Sequence, residues 1–145
     1  MDSYLYGDII AGERVGNFYL GCNLEKLRTS IDFNYTLTEA QDCYILKCED
    51  IDFFVTKNDN RLYQITIFGK YKGKLLNRIT IGNILADTKD IISCEMEKES
   101  NDGEFYLPDH PGVSIYTKGW GDDQTPITHI SVYDYRLSYE KISST

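Results

Sequence analysis

Apolar and polar positions alternate along four short runs, Ile51-Asp52-Phe53-Phe54-Val55, Leu62 to Phe68, Val113 to Thr117 and Ile127 to Tyr133. Each run predicts a strand with one face toward a core, because successive side chains on a strand point to opposite faces. Two other stretches space their apolar residues as i, i+3, i+7: Leu24, Leu27 and Ile31, then Leu85, Thr88 and Ile92. That spacing puts one stripe on a short helix. Asn23 and Asn83 stand at the helix starts, where a side-chain oxygen can accept from unpaired backbone N–H groups.

The runs recur in the same order. Phe18-Tyr19-Leu20-Gly21-Cys22-Asn23-Leu24-Glu25 aligns with Ile79-Thr80-Ile81-Gly82-Asn83-Ile84-Leu85-Ala86, a short alternating strand entering a glycine and then a helix. Cys43 to Cys48 aligns with Glu104 to Leu107, and the four longer strands align in pairs. Lys57 to Asn60 and Gly119 to Pro126 have the composition of hairpin loops. The predicted fold is α+β: two tandem β-α-β-β-β repeats, an antiparallel sheet with helices packed on one face, and strands that continue into one sheet of about eight. Repeat one covers about residues 14–68 and repeat two about 78–135, with a linker at about 69–77 that carries Lys70, Lys72 and Lys74. The alternative is an irregular α+β domain without internal symmetry. At 145 residues one domain is expected, residues 1–145.

Alternation assigns Phe53, Val55, Tyr63, Ile65, Ile67, Phe105, Leu107, Val113, Ile115, Ile130 and Val132 to the core face. The other face would then carry Asp52, Phe54, Gln64, Thr66 and Phe68, with Glu104, Tyr106, Tyr116, Lys118, His129, Ser131, Tyr133 and Tyr135. Large rings beside carboxylates are the composition of protein-binding surfaces. Such a face also arises where aromatics serve simply as good strand formers, where the sheet folds back on itself, or where two chains pack face to face. Acidic loops at Glu97 to Asp102 and Asp122-Asp123 would flank this face, and Trp120 in a glycine-flanked loop is either an interface anchor or a lid on the core.

A net charge of −8 and a pI near 4.7 argue against direct nucleic-acid binding and favour a basic partner. Met1 to Asp8 holds no basic segment followed by an apolar run, so a cytoplasmic chain is expected. Cys22, Cys43, Cys48 and Cys94 lack metal-ligand spacing and are expected as reduced thiols, and no metal or cofactor is expected. No phosphate loop, HExxH, GxSxG or EF-hand pattern occurs. His110 lies in Leu107-Pro108-Asp109-His110-Pro111-Gly112, read as a turn rather than a catalytic Asp-His pair. Asp50 and Asp52 are expected on a solvated acidic rim. The chain is expected to bind rather than catalyse.

The strand-Gly-helix openings at Leu20-Gly21-Cys22-Asn23-Leu24 and Ile81-Gly82-Asn83-Ile84-Leu85 resemble the tandem arrangement of the β-lactamase-inhibitor-protein and SmpA-like superfamily, over about residues 14–135. That resemblance implies a sheet that grips a protein. In type, the small acidic chain also resembles the immunity proteins of bacterial polymorphic toxins, including contact-dependent growth inhibition systems. It implies a cognate protein toxin as partner, often a basic nuclease domain, neutralised by occlusion. The residues expected to bind it are Asp52, Phe54, Phe68, Glu104, Tyr106, Tyr116, Trp120, Asp122, Asp123, Tyr133 and Tyr135. The alternative is a homodimeric structural or small-ligand-binding module.

Overall fold

A computed structural model describes residues 3–96, 103–118 and 123–136. A 3-10 helix (Ser3–Tyr6) leads into three short strands, β1 (Ile9–Ile10), β2 (Arg14–Val15) and β3 (Phe18–Tyr19), which form a small antiparallel sheet. Then come α1 (Leu24–Ser30) and four strands, β4 (Thr36–Glu39), β5 (Cys43–Lys47), β6 (Ile51–Thr56) and β7 (Leu62–Phe68). After a connecting segment the chain forms α2 (Leu85–Ile91) and four more, β8 (Glu95–Met96), β9 (Glu104–Tyr106), β10 (Val113–Thr117) and β11 (Ile127–Tyr133). All eight join one antiparallel sheet in the order β4-β5-β6-β7-β11-β10-β9-β8. Two meanders therefore meet where the last strand of each pairs, with Ile67 opposite Ile130 and Ile65 opposite Val132.

The alternating residues form the core as expected: Phe53, Val55, Ile65, Ile67, Phe105, Leu107, Val113, Ile115, Ile130 and Val132 are all buried. Phe18 of β3 meets the Phe53 ring edge-on at 4.8 Å, so the small sheet lies on this side. Leu27 of α1 and Leu85 and Thr88 of α2 are buried too.

Tyr63 departs from its expected place. The pairing of β6 with β7 shifts register so that Phe54 faces Gln64 while Val55 faces Leu62, which leaves Tyr63 as the extra residue of a bulge. Leu62 takes the core position, and Tyr63 turns toward the other face, its ring 6.3 Å from that of Phe54. Thr128 is the extra residue of a matching shift between β10 and β11.

The two helix openings share their backbone bonds. Gly21 donates to Leu62 (2.7 Å), Leu62 to Cys22 (2.9 Å) and Leu24 to Asn60 (2.9 Å); Gly82 donates to Ile127 (2.9 Å), Ile127 to Asn83 (2.8 Å) and Leu85 to Thr125 (2.9 Å). Both glycines are left-handed, with φ of 93° and 96°. The side chains differ. Asn23 caps α1 by accepting from Lys26 N–H, whereas α2 has Ile84 at that position and no side-chain cap. Asn83, expected at a helix start, instead accepts from Thr80 N–H one turn earlier. Ile79 to Ile81, expected as a strand, makes only an isolated bridge to Leu75.

In the segment between the halves, Tyr71, Gly73 and Leu75 are buried, while Lys72 and Lys74 between them are exposed. The Tyr71 hydroxyl donates to Gly7 O at 2.7 Å. A Cβ at Gly73 would lie 1.9 Å from that same oxygen, so glycine is required by close backbone approach.

Candidate protein-binding face

Strand register assigns the face opposite the core. Its central row runs Lys47, Asp52, Thr66, Ser131, Ser114, Tyr106, Glu95 across β5 to β8. A second row runs Ile45, Phe54, Gln64, Tyr133, and a third runs Phe68, His129, Tyr116, Glu104. Seven of the expected partner-binding residues, Asp52, Phe54, Phe68, Glu104, Tyr106, Tyr116 and Tyr133, thus share one surface.

Of the four others, the two that are described do not join its rows. The Asp123 carboxylate pairs with Lys89 of α2 at 3.1 Å, and its carbonyl accepts from Ala86 N–H, which ties it to the helix rather than to this face. Tyr135 lies past the end of β11 beside Gly12, because the chain leaves the sheet at Asp134. Trp120 and Asp122 lie outside the described residues, as do 97–102 of the expected acidic rim.

Small polar residues at the centre are covered by larger neighbours: Ser114 and Ser131 are buried, while Phe54, Phe68, Tyr116 and Tyr133 are half-buried. The hydroxyls are linked. Gln64 donates to Thr66 Oγ1 (3.1 Å), Thr66 and Ser131 share a hydrogen bond (2.8 Å), and Tyr116 donates to Glu104 (3.1 Å). Burial and the adjacent Glu104 charge push the Tyr116 phenol up to about 12, so it stays a donor at neutral pH. Among the described residues, no buried side-chain N or O lacks a partner. The His129 ring lies 5.3 Å from Phe68 and 6.4 Å from Tyr116.

Asp52 is half-buried, not on a solvated rim, and accepts from Cys48 N–H at 3.3 Å. Burial raises its pKa, and the Cys48 N–H, Lys47 and His129 oppose that rise. Burial lowers the pKa of His129, with Asp52 opposing. Asp50 is buried and accepts from Lys70 N–H at 2.9 Å. Sequence alternation placed the rings but missed this linked hydroxyl row; its signal is a Thr and a Ser on strands whose pairing the sequence does not display.

At the margin of the face, Tyr106, Pro108, His110, Pro111, Tyr133 and Tyr135 line a cleft of about 430 Å³. His110 sits there in a turn closed by its own N–H onto Leu107 O at 2.9 Å. All four cysteines are free thiols. Burial pushes the Cys48 thiol up to about 12 and raises Cys22 and Cys94, which suppresses their thiolates at neutral pH. Among the described residues no group of three His, Cys, Asp or Glu is arranged to hold a metal, and no helix is long and apolar enough to cross a membrane.

The arrangement is that of a mixed α+β protein with an antiparallel sheet, one face of which forms the core. No family model and no curated protein matches the chain. Among solved structures it is similar to the uncharacterized protein yfeY from Escherichia coli, with a TM-score of 0.55 over 88% of this chain and 98% of that one, at 8% sequence identity. That likeness concerns the fold alone.

Proposed function

We propose that the chain consists of two diverged copies of one helix-and-strands unit with both helices over the same sheet face, which frees the opposite face to bind a basic protein. The matched hydrogen bonds at Gly21 and Gly82 and the matched bulges at Tyr63 and Thr128 support the duplication. The cognate partner is a bacterial toxin domain, commonly a nuclease, and this chain is its cytoplasmic immunity protein, not an enzyme.

One observation carries the reading: Phe54, Phe68, Tyr116 and Tyr133 stand half-buried around a hydrogen-bonded hydroxyl row, with Asp52, Glu104 and Glu95 on the same face. Rings held by their neighbours lose little entropy on docking, and satisfied hydroxyls add no unpaired group to the interface. The net charge of −8 speeds encounter with a basic surface and disfavours acidic competitors. Inhibition follows by covering the toxin's substrate surface.

The test is the activity of the toxin domain encoded beside this chain, measured with stoichiometric protein. Abolished activity, restored by Phe54→Ala with Tyr116→Ala, is the expected result. Full toxin activity in the presence of excess protein would sink the reading. A tight dimer that buries these rings against a twin would support the homodimeric alternative instead.

A further inference from the structure

The sheet ends on one side at β4, and every residue of Thr36-Leu37-Thr38-Glu39 is exposed. Inward bonding can be assigned from the hairpin that follows. Ala40 N–H donates to Cys43 O at 2.9 Å, and mutually bonded pairs recur at every second residue, so Thr38 with Ile45 and Thr36 with Lys47 are the bonded pairs of this ladder. The backbone N–H and C=O of Leu37 and Glu39 therefore point outward, and so do those of Tyr35 if the alternation is continued. Among the described residues nothing meets them.

Natural edge strands are guarded by lysine, proline, bulges or brevity. The strand β4 has no lysine, proline or bulge, and its four residues pair in regular register with β5. Its one charge is already balanced, because Glu39 pairs with Lys57 at 2.9 Å. On the opposite side the last described strand is β8, and its Glu95 is held by the Tyr106 hydroxyl.

We infer that the outward edge of β4 pairs antiparallel with the same edge of a second copy of this chain. Parity puts the two-fold axis on a residue: Leu37 or Glu39 would centre it on a mutually bonded pair, Thr36 or Thr38 on a non-bonded one. Side chains choose among these, since an axis on Thr38 sets Leu37 against Glu39, one on Thr36 sets Glu39 against Phe33, and one on Glu39 sets carboxylate against carboxylate. Pairing Leu37 with Leu37 of the second copy sets Thr36 against Thr38 and Glu39 against Tyr35. Apolar meets apolar, hydroxyl meets hydroxyl, and no carboxylate faces a carboxylate. A heterologous strand has no such requirement met for it by the sequence. The edge is separate from the aromatic face, so failure of either reading leaves the other standing.

Two copies of net charge −8 repel, so the dimer tightens with added salt, whereas binding to a basic partner weakens. The experiment is sedimentation equilibrium of the whole chain and of Leu37→Pro and Leu37→Lys, with amide exchange at low and high concentration. Proline at 37 deletes an outward donor and spares the inward ladder, and lysine at 37 sets like charges on the axis. Each should raise the dimer dissociation constant about tenfold or more. In the parent, the Leu37 and Glu39 amides should gain protection with concentration, while Thr36 and Thr38 stay protected throughout. A monomer at every concentration, or a dimer untouched by Leu37→Lys, overturns the inference. So does protection of Leu37 and Glu39 that appears only when a basic partner is added, which would give the edge to a foreign strand.

Discussion

The half of the sheet that follows α1 and the half that follows α2 are held by corresponding backbone bonds but finish differently. The first ends in β4, whose four residues are all exposed, and the second, as far as it is described, in β8 at Glu95–Met96. On the open face the first half presents Phe54 and Phe68 with Asp52, while the second presents Tyr116 and Tyr133 with Glu104. At the helix starts an asparagine caps one and an isoleucine occupies the same place in the other. What is common to the halves is backbone geometry that sets the fold; what differs is side-chain chemistry at surfaces, which can change without unfolding the protein.

The largest way to break the comparison is at the core. Phe53 and Ile115 are fully buried at corresponding strand positions, Phe53 against the Phe18 ring of the small sheet and Ile115 opposite Phe105 of the neighbouring strand β9. Phe53→Ala should cost about 3–5 kcal/mol and Ile115→Ala about 2–5 kcal/mol by urea unfolding. A smaller loss for Phe53→Ala than for Ile115→Ala would mean that the contact with Phe18 adds little to the first half. A smaller pair of effects tests the shared geometry itself. Gly21 and Gly82 have nearly the same φ, and a Cβ at either would meet nothing within 4 Å. Alanine at each should therefore cost the same backbone strain, about 1–2 kcal/mol. Unequal costs would show that the two openings are not equivalent.

Caps come next in size. Asn23→Ala should cost about 1 kcal/mol, since it removes the acceptor for Lys26 N–H. Ile84→Asn should raise the thermal midpoint, because α2 starts without any side-chain cap. If Ile84→Asn destabilises, the partly buried isoleucine is worth more as packing than the cap it displaces, and the halves differ for a physical reason.

Much of this was legible in the sequence, and the failures share a cause. Strict alternation found the strands from Ile51 to Val55 and from Val113 to Thr117, because burial on one face imprints the period. The strand β4 left no such imprint: an edge strand with all residues exposed needs no apolar alternation. The bulges were misread because alternation counted back from Ile65 lands on Tyr63. Their signal was present, since Leu62, Ile65, Ile67 and Ile127, Ile130, Val132 repeat the same irregular spacing in both halves. On the candidate face, register gathered seven of the named residues, but Asp123 and Tyr135 went elsewhere because loops and strand ends follow no period.

The smallest effect distinguishes the two carboxylates of the face. Burial raises the pKa of Asp52, so its charge is disfavoured in the folded chain relative to the unfolded one. The ionised form then costs stability at neutral pH, and the cost disappears as pH falls through the raised folded value. Asp52→Asn keeps an oxygen to accept from Cys48 N–H and removes the charge, so it should stabilise by no more than about 0.5 kcal/mol, since a half-exposed charge is well screened. The gain should be present at neutral pH and fade in acid, where the parent is itself protonated. Glu104→Gln should lose a few tenths of a kcal/mol instead, by exchanging a charge-assisted bond from Tyr116 for a neutral one. His129 titrates in the opposite sense: burial lowers its pKa, so stability is lost as pH falls through the unfolded histidine range. Thermal melts of variant and parent at matched pH separate these contributions. If Asp52→Asn both stabilises the fold and weakens capture of a basic partner, the charge is retained for binding at a cost to folding. If it stabilises and leaves capture unchanged, Asp52 has no part in the interface and the second half carries the acidic recognition alone.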